Sequence, residues 1–243
     1  MGEMIIQDST LHAFANKIRE KNNTSQSLNI FQMLDALDKM DNVNVAVDFI
    51  SSSIENVLNS GATSVGKYGL YQQEYIVSAD LPNVTQIGDY AFYKCPSLTH
   101  VNAPLTQQIG AFVFKGCSAL TSANYLNAMT IGQGAFDECT NLSSVNLPLL
   151  TTVESLTFRK CEALTAVDLP VVTTIKSQAF WSSGIASLTL RANTVCTLED
   201  ENALAFTPIE EGTGYIYVPA NLVDSYKSAS GWSVYANQIR AIA

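Results

Sequence analysis

The sequence predicts an α/β solenoid, a rod in which one short structural unit is stacked on copies of itself. Apolar residues and cysteines that recur every 22 residues carry this prediction. The positions are Ile54, Ile76, Leu98, Leu120, Leu142 and Leu164, together with Cys95, Cys117, Cys139 and Cys161. Because a unit this short cannot bury its own apolar face, consecutive units have to share one continuous core.

Each repeated unit combines the period of a helix with the period of a strand. In the type unit, residues 81–102, four apolar residues at helical spacing predict a short helical or 3₁₀ segment; they are Ile87, Ala91, Cys95 and Leu98. After Leu98, apolar and polar residues alternate, which predicts a short strand whose copies pair as a parallel sheet. We therefore expect short parallel strands on one face of the solenoid and short helical segments on the other.

Two apolar positions run through the solenoid and predict the spine of its core. The two ladders contain Ile87, Ile109, Ile131, Val153 and Ile175, and Phe92, Phe114, Phe136, Phe158 and Phe180. A glycine that fits a tight turn follows the first ladder in four units, at Gly66, Gly88, Gly110 and Gly132. Because Glu154 and Lys176 stand there in later units, this turn does not require a positive φ everywhere.

The chain divides into three predicted parts. We expect a small helical N-terminal module at residues 1–42, the repeat solenoid at residues 43–219 and a C-terminal helical cap at residues 220–243. Open ends of a parallel sheet expose unpaired backbone groups and core side chains, so both ends need covers. Asn221 is suited to begin a cap helix, and Trp232 supplies a bulky apolar group that closes the coil.

Composition excludes two classes of partner. The chain has 13 Lys and Arg against 22 Asp and Glu, a net charge of −9, which opposes the phosphate neutralisation on which nucleic-acid binding depends. Apolar runs are far shorter than the roughly 18 residues of a membrane span, so we expect no membrane insertion. No signal peptide is visible at the N-terminus, which lacks a charged segment followed by an apolar one.

The residue types that carry chemistry are explained by the repeat. The register cysteines form no C-x-x-C pair, and we expect them, with Cys196, to be buried reduced thiols. The stretch Gly61–Lys67 approaches a phosphate-binding loop, but Tyr68 stands where Ser or Thr would ligate magnesium. The two histidines, His12 and His100, have no nucleophile motif nearby. We therefore expect no catalytic residue, no metal site and no cofactor.

An enzyme that acts on polysaccharide is one alternative for the function of this chain. It requires distant carboxylates that the fold brings together in a cleft, at the separation that glycoside hydrolysis needs. The sequence spacing identifies no such pair, so the chain is predicted to be non-enzymatic.

The outward positions of the predicted strands form the candidate binding surface. The candidate residues are His100, Asn102, Ser122, Asn124, Ser144, Asn146 and Asp168, which form two neighbouring rows. Five such strands span about 20–25 Å of nearly uncharged polar surface, which suits hydrogen bonding to a sugar chain or a protein loop. The alternative is that these small polar side chains only solvate the sheet, with the amides bonding one another along the stack.

We expect this surface to lack the usual interface anchors. No Trp, Tyr or Arg stands at the candidate positions, although these residue types dominate most binding hot spots. The aromatic residues are predicted on the helical side instead, at Tyr90, Tyr93, Phe112 and Trp181.

The repeated pattern I-G-x-x-A-F-x-x-C-x-x-L-T-x-V, at Ile87–Val101 and Ile131–Val145, resembles the BspA-like leucine-rich repeats. The resemblance covers roughly residues 50–220, and Gly214–Pro219 is similar to the usual C-terminal end of that family. The opening stretch Leu11–Met40 resembles short N-terminal modules of tail-associated structural proteins in phages of Gram-positive bacteria.

The resemblance implies a right-handed leucine-rich coil with a role in adhesion or attachment and no catalytic residues. The implied partners are a host-surface protein or glycan, or assembly proteins of a virion or cell surface, with self-association into a homo-oligomer as a further option. The implied location is a virion, or the bacterial cell surface or secreted fraction. The alternative function is an architectural spacer or assembly protein without a ligand of its own.

Overall fold

The computed structural model describes residues 63–74 and 76–242, which belong to the unit formed by residues 61–243. In this part of the chain, backbone turns and short parallel strands follow one another in a repeating order. The predicted N-terminal module at residues 1–42, the start of the predicted solenoid and Ile54 lie outside the described residues. The following description therefore concerns the repeats and the C-terminal segment.

Fifteen short strands provide the regular structure of the described residues. In chain order they are β1 (Ser64–Val65), β2 (Ser78–Asp80), β3 (Gln86–Ile87), β4 (His100–Asn102), β5 (Gln108–Ile109), β6 (Ser122–Asn124), β7 (Thr130–Ile131), β8 (Ser144–Asn146), β9 (Thr152–Val153), β10 (Ala166–Leu169), β11 (Thr174–Ile175), β12 (Ser187–Leu190), β13 (Thr197–Leu198), β14 (Tyr215–Val218) and β15 (Ile239–Ala241).

The strands form two ladders along the stack, and every pair is parallel. The short-strand ladder contains β1, β3, β5 and β7 in one hydrogen-bonded sheet and β9, β11 and β13 in another. The long-strand ladder contains the pairs β2–β4 and β6–β8 and the sheet β10–β12–β14–β15. From β1 to β13 the strands alternate between the two ladders, so each of these coils contributes one strand to each ladder, and β14 and β15 extend the long-strand ladder alone.

The two predicted core ladders are confirmed. Ile87, Ile109 and Ile131 are buried one above the other in the short-strand ladder. The phenylalanines stack face to face along the rod, with ring centroids 5.3–5.6 Å apart from Phe92 to Phe180. These five rings are fully buried and give each coil an apolar surface that only the neighbouring coils can cover.

The side opposite the strands consists of consecutive turns and contains little helix, where the sequence predicts short helical segments. Alternate amides stay inside the coil, as where Ala91 donates to Gly88 O at 3.2 Å. The amides between them leave the coil: Tyr90 donates to Ala111 O at 2.9 Å and Phe92 to Val113 O at 2.9 Å. Since a helix would consume all of these donors internally, the turns allow successive coils to bond to each other.

Left-handed backbone at two positions of each coil produces this alternation. Both positions recur every 22 residues, at Tyr68, Tyr90, Phe112, Gly134, Leu156 and Gln178, and at Gln72, Lys94, Gly116, Glu138, Lys160 and Ser182. Their φ values lie between 52° and 74°. A positive φ interrupts a right-handed helical run, so the apolar spacing that resembles a helix is produced by turns that point the same side chains inward.

Of the four glycines at the end of the short strands, Gly88, Gly110 and Gly132 are required by close approach of the coils, whereas a Cβ on Gly66 would meet no atom within 4 Å. A Cβ on Gly88 would lie 2.7 Å from Lys67 N, and a Cβ on Gly132 would lie 2.5 Å from Ala111 N. None of the four has a positive φ. In later coils the corner accepts side chains, and Glu154 and Lys176 form an ion pair of 2.8 Å there.

The C-terminal segment closes the rod with short helices and one more strand. The helices are the 3₁₀ turns Glu201–Leu204, Ala220–Leu222 and Ser233–Tyr235 and the α-helix α1, Val223–Ser228. Buried Trp232 donates its indole N–H to Cys196 O at 2.6 Å, and Cys196 N donates to the hydroxyl of Tyr226 at 2.9 Å. The segment predicted as a helical cap, residues 220–243, is only partly helical, because β15 returns to the long-strand ladder beside β14.

Gly134 offers a test of the left-handed positions. Its φ is +60°, and a Cβ there would lie 2.4 Å from Cε1 of Phe112, whereas at Gly116, with φ +74°, the nearest atom is 3.2 Å away in the flexible Lys94 side chain. We predict that Gly116→Ala loses about 1–2 kcal/mol of unfolding free energy from backbone strain alone. Gly134→Ala should lose more than this, because the Phe112 ring must also move; urea unfolding measures both.

The double variant separates the two contributions. In a Phe112→Ala background, Gly134→Ala should cost no more than Gly116→Ala does in the wild-type chain. An equal cost of Gly134→Ala in both backgrounds would contradict the proposed contact between the ring and the glycine.

Candidate functional site

The structure brings the seven predicted surface residues together on one face of the long-strand ladder. Parallel register aligns Ser122 with Ser144 and Asn124 with Asn146, while His100 and Asn102 stand on the preceding coil. Six of the seven are exposed and Ser122 is half-buried, because the residues between them on each strand point into the core. We call this exposed side of β2, β4, β6, β8, β10, β12, β14 and β15 the outer strand face.

Some of the polar groups on the outer strand face bond one another. Asn102 Nδ2 donates to Asp80 Oδ1 at 2.7 Å, and Asn146 Nδ2 donates to Asn124 Oδ1 at 3.1 Å. Each amide can make more bonds than these, since it carries two N–H donors and a carbonyl acceptor. The remaining capacity faces solvent, so the surface can both solvate itself and hydrogen-bond to a ligand.

The outer strand face continues past Asp168 into coils that carry tyrosine and arginine. Register aligns Asp168 with Thr189, Thr189 with Tyr217, and Tyr217 with Arg240. In the neighbouring row, Ser187 is aligned with Tyr215. The candidate positions up to Asp168 carry no Trp, Tyr or Arg, and the last coils of the same face supply tyrosine and arginine.

The aromatic part of the face has a defined geometry. The Arg240 guanidinium lies 4.8 Å from the ring centroid of Tyr215, close enough for a cation–π contact. The rings of Tyr215 and Tyr217 are 6.4 Å apart, and 40% of Tyr215 is exposed. Tyr215, Tyr217 and Arg240, which we call the aromatic end of the face, have the residue types that are enriched in binding hot spots.

An exposed ion pair stands between the amide rows and the aromatic end. Arg191 Nε lies 3.0 Å and 2.9 Å from the two carboxylate oxygens of Asp168, and its terminal NH2 is 2.7 Å from Oδ2. The hydrogen bond to Asp168 raises the pKa of Arg191 above its ordinary value. The pair offers one planar cation and one carboxylate for recognition of a polar partner.

The coils that carry the aromatic end differ in length, so its residues do not follow the 22-residue repeat. The step along the row is 21 residues from Asp168 to Thr189, 28 to Tyr217 and 23 to Arg240. A different signal is present in the sequence, because tyrosine alternates with an aliphatic residue over Tyr215–Val218, and the structure buries the two aliphatic residues. That alternation, combined with the amide rows, places both tyrosines on the outer strand face.

The cysteines form a buried structural stack. Cys95, Cys117, Cys139 and Cys161 each direct Sγ to a carbonyl 25 residues earlier, at 3.0–3.2 Å, and all five cysteines are free. Burial raises the pKa of Cys117, Cys139 and Cys161 well above the ordinary thiol value, and raises that of Cys196 to about 12. Such thiols are poor nucleophiles and poor metal ligands, since both roles need the thiolate.

The other chemical candidates have structural roles in the described residues. Asp137, which is fully buried, accepts hydrogen bonds of 2.8 Å from Arg159 and 2.7 Å from Lys115. Lys67, the lysine of the loop that resembles a phosphate site, follows β1 and lies 3.9 Å from Asp89. Within residues 63–242, apart from Tyr75, no group of three or more His, Cys, Asp or Glu side chains is arranged to hold a metal ion.

These features define a repeat protein built as a leucine-rich solenoid. Residues 63–189 and 129–208 match the BspA type leucine rich repeat region in six copies, and together they cover more than half of the 243 residues. The chain belongs to this family. The comparison with curated proteins gave no match.

Solved structures of bacterial repeat proteins show the same fold. A leucine-rich cell surface protein of Faecalibacterium prausnitzii is 26% identical with a TM-score of 0.52, covering 65% of this chain and 43% of its own. A leucine-rich repeat protein of Eubacterium ventriosum is 23% identical with a TM-score of 0.53, covering 60% of this chain and 43% of its own. This chain therefore spans less than half the length of either protein.

The comparisons leave the resemblance of residues 11–40 to phage tail modules as a prediction, because the matched family model begins at residue 63. In the part of the chain that the structure describes, no helix has both the length and the apolar composition to cross a bilayer.

The raised thiol pKa values predict a loss of stability at alkaline pH. An unfolded thiol ionises near pH 9, while the folded Cys196 holds its proton until about pH 12, so the unfolded state binds fewer protons in this window. We therefore predict that the free energy of unfolding, measured in urea, is constant up to about pH 8 and falls as the pH rises from about 9 to 12.

Replacing one thiol supplies the control. Cys139→Val should lower stability at pH 8 but make the alkaline decline shallower, because one titrating group is removed. Native thiols should also resist a disulfide reagent at pH 8 and react after unfolding. A stability that does not change between pH 8 and pH 11 would refute the interpretation.

Proposed function

We propose that this chain is a non-enzymatic attachment protein that binds a protein or glycan ligand on its outer strand face. The observation that carries the proposal is the continuity of that face. Rows of amide and hydroxyl side chains lead, through the Asp168–Arg191 pair, to Tyr215, Tyr217 and Arg240.

The composition of the face favours polar partners. Amides and hydroxyls recognise sugar hydroxyls and peptide groups through paired donors and acceptors, and tyrosine supplies contact area at low entropic cost. The rows repeat along the rod with the strand spacing of about 4.8 Å, which suits an extended ligand that crosses several coils. We assign the aromatic end as the energetic centre and the amide rows as the extended contact.

The bacterial surface is the proposed location. Support comes from the Faecalibacterium prausnitzii structure, which is a leucine-rich cell surface protein and is 26% identical to this chain. A virion is the alternative location, supported by the resemblance of Leu11–Met40 to phage tail modules.

An architectural spacer is the second candidate function. It is favoured by the amide pairs Asn102–Asp80 and Asn146–Asn124, which show that the face satisfies part of its own hydrogen bonding. A spacer needs no exposed tyrosine or arginine on this face, so the aromatic end favours the attachment function.

Binding to arrayed glycans and extracellular-matrix proteins tests the proposal, with affinity for each hit measured by biolayer interferometry. We predict that Tyr217→Ala weakens binding by at least about tenfold, the effect of losing a hot-spot side chain. Asn124→Arg with Asn146→Arg should also abolish or strongly reduce binding, because two large charged side chains then cover the amide rows.

A matched variant controls for charge. Gln72→Arg with Gln133→Arg adds the same two charges on the turn side, where both residues are exposed, and should leave the affinity unchanged. Binding that survives both Tyr217→Ala and the double Asn→Arg substitution would favour the spacer function instead. Stable oligomers without any hit on the arrays would also favour the spacer function.

A further inference from the structure

Charge is distributed unequally around the rod. In four consecutive coils, the segments that form the two strand ladders and the turn between them contain one carboxylate, Asp168, and no Lys or Arg. These segments are residues 99–109, 121–131, 143–153 and 165–175. The intervening turn-side segments contain nine charged residues. These segments are residues 88–98, 110–120, 132–142 and 154–164. One side of the solenoid is therefore nearly free of charge in a chain whose net charge is −9.

An exposed row of apolar side chains runs along the charge-free side. It lies in the turn between the long and short strands of four consecutive coils, at the two adjacent positions that Pro104 and Leu105 occupy in the first of them. We call it the apolar ridge; its residues are Pro104, Leu105, Leu126, Pro148, Leu149, Pro170 and Val171. The exposed fractions of its large members are 47% for Leu105, 52% for Leu126, 45% for Leu149 and 41% for Val171.

The fold does not require an apolar side chain at the position of Leu105, Leu149 and Val171. Asn83 and Asn127 occupy the positions equivalent to Leu105 and Leu149, and Asn127 hydrogen-bonds to Pro104 O at 2.8 Å. The core below the ridge is filled by other residues of the same turns, among them the buried Leu147, Leu150 and Val172. Exposed apolar residues in four consecutive coils, above a core that other residues already fill, indicate a contact surface.

We propose that the apolar ridge is a self-association surface and that its occupant is a second copy of this chain, packed antiparallel. Two chains of net charge −9 repel each other, and a contact through the turn side would also require charged groups to lose water. Contact through the ridge buries apolar surface and desolvates no charged side chain within it, which is the composition expected at the centre of an interface.

Charges at the two ends of the ridge favour the antiparallel arrangement. Asp80 stands at the end that precedes Pro104, and Arg191 stands at the end that follows Val171. A two-fold axis across the rods brings Asp80 of one copy towards Arg191 of the other, whereas a parallel pair would place each beside its own kind. Arg191 retains donors beyond those that it uses on Asp168.

The size of the ridge predicts a weak dimer. Four coils at about 4.8 Å each give a length of about 20 Å, and the turn with its flanking strand residues is about as wide. This is about 400 Å² per copy, half of the roughly 800 Å² of a standard interface. The dimer should therefore be reversible and depend on protein concentration.

Sedimentation velocity on the full chain, from about 1 μM to about 1 mM, tests the proposal. The wild type should shift from monomer to dimer within this range, and Leu126→Lys with Leu149→Lys should stay monomeric throughout. Ser230→Lys with Val234→Lys is the matched control, because it adds the same charges at exposed positions of the C-terminal segment, and it should dimerise like the wild type.

Thermal unfolding checks that each variant is folded. If the lysine variant unfolds, Leu126→Asn with Leu149→Asn replaces it, since asparagine already stands at the position of Leu149 in two other coils. A wild type that remains monomeric at the highest concentration overturns the proposal and leaves the ridge to a different partner. A ridge variant that dimerises as well as the wild type also overturns it, because the dimer then uses another surface.

Discussion

The constraint on which this structure depends is that every coil must present the same inward side chains at the same place as its neighbours. Phe114 is covered on one side by Phe92 and on the other by Phe136, so no coil completes its own core. Side chains outside the core obey the same 22-residue step, as in Lys176–Glu154 and Asn102–Asp80. Stacking therefore fixes the core and also decides which surface residues can meet.

The positions of the inward-facing side chains could be predicted from the sequence, because apolar residues that repeat at a fixed interval give a periodic pattern. The phenylalanine ladder, the isoleucine ladder and the exposed amide rows all occur where that period places them. The turn side could not be predicted from residue types alone. Its left-handed positions hold Tyr90, Leu156 and Lys94 as well as glycine, and tertiary hydrogen bonds between coils impose a conformation that these residues do not favour by themselves.

The candidate surface divides in the same way. Its amide rows follow the repeat and are predictable from it, while Tyr215, Tyr217 and Arg240 stand in coils of unequal length and escape the register. Asp137 is a residue whose repeat position does not predict its environment. Its position in the repeat suggests an exposed charge, yet Lys115 and Arg159 from the two neighbouring coils enclose it, because stacking brings together residues that are 22 positions apart.

Positions that the core does not constrain carry the information about function. An inward residue is determined by its neighbours above and below, so its identity says little about partners. An exposed residue is free to differ between coils, and asparagine and leucine alternate at the ridge without any change in the strands beside them. Departures from the expected polar surface therefore point to contact surfaces. Among the described residues, two such places are the aromatic end of the outer strand face and the apolar ridge beside it. Because these lie on neighbouring sides of one rod and Arg191 belongs to both, a ligand at the Asp168–Arg191 pair and a second copy on the ridge would compete for that side chain.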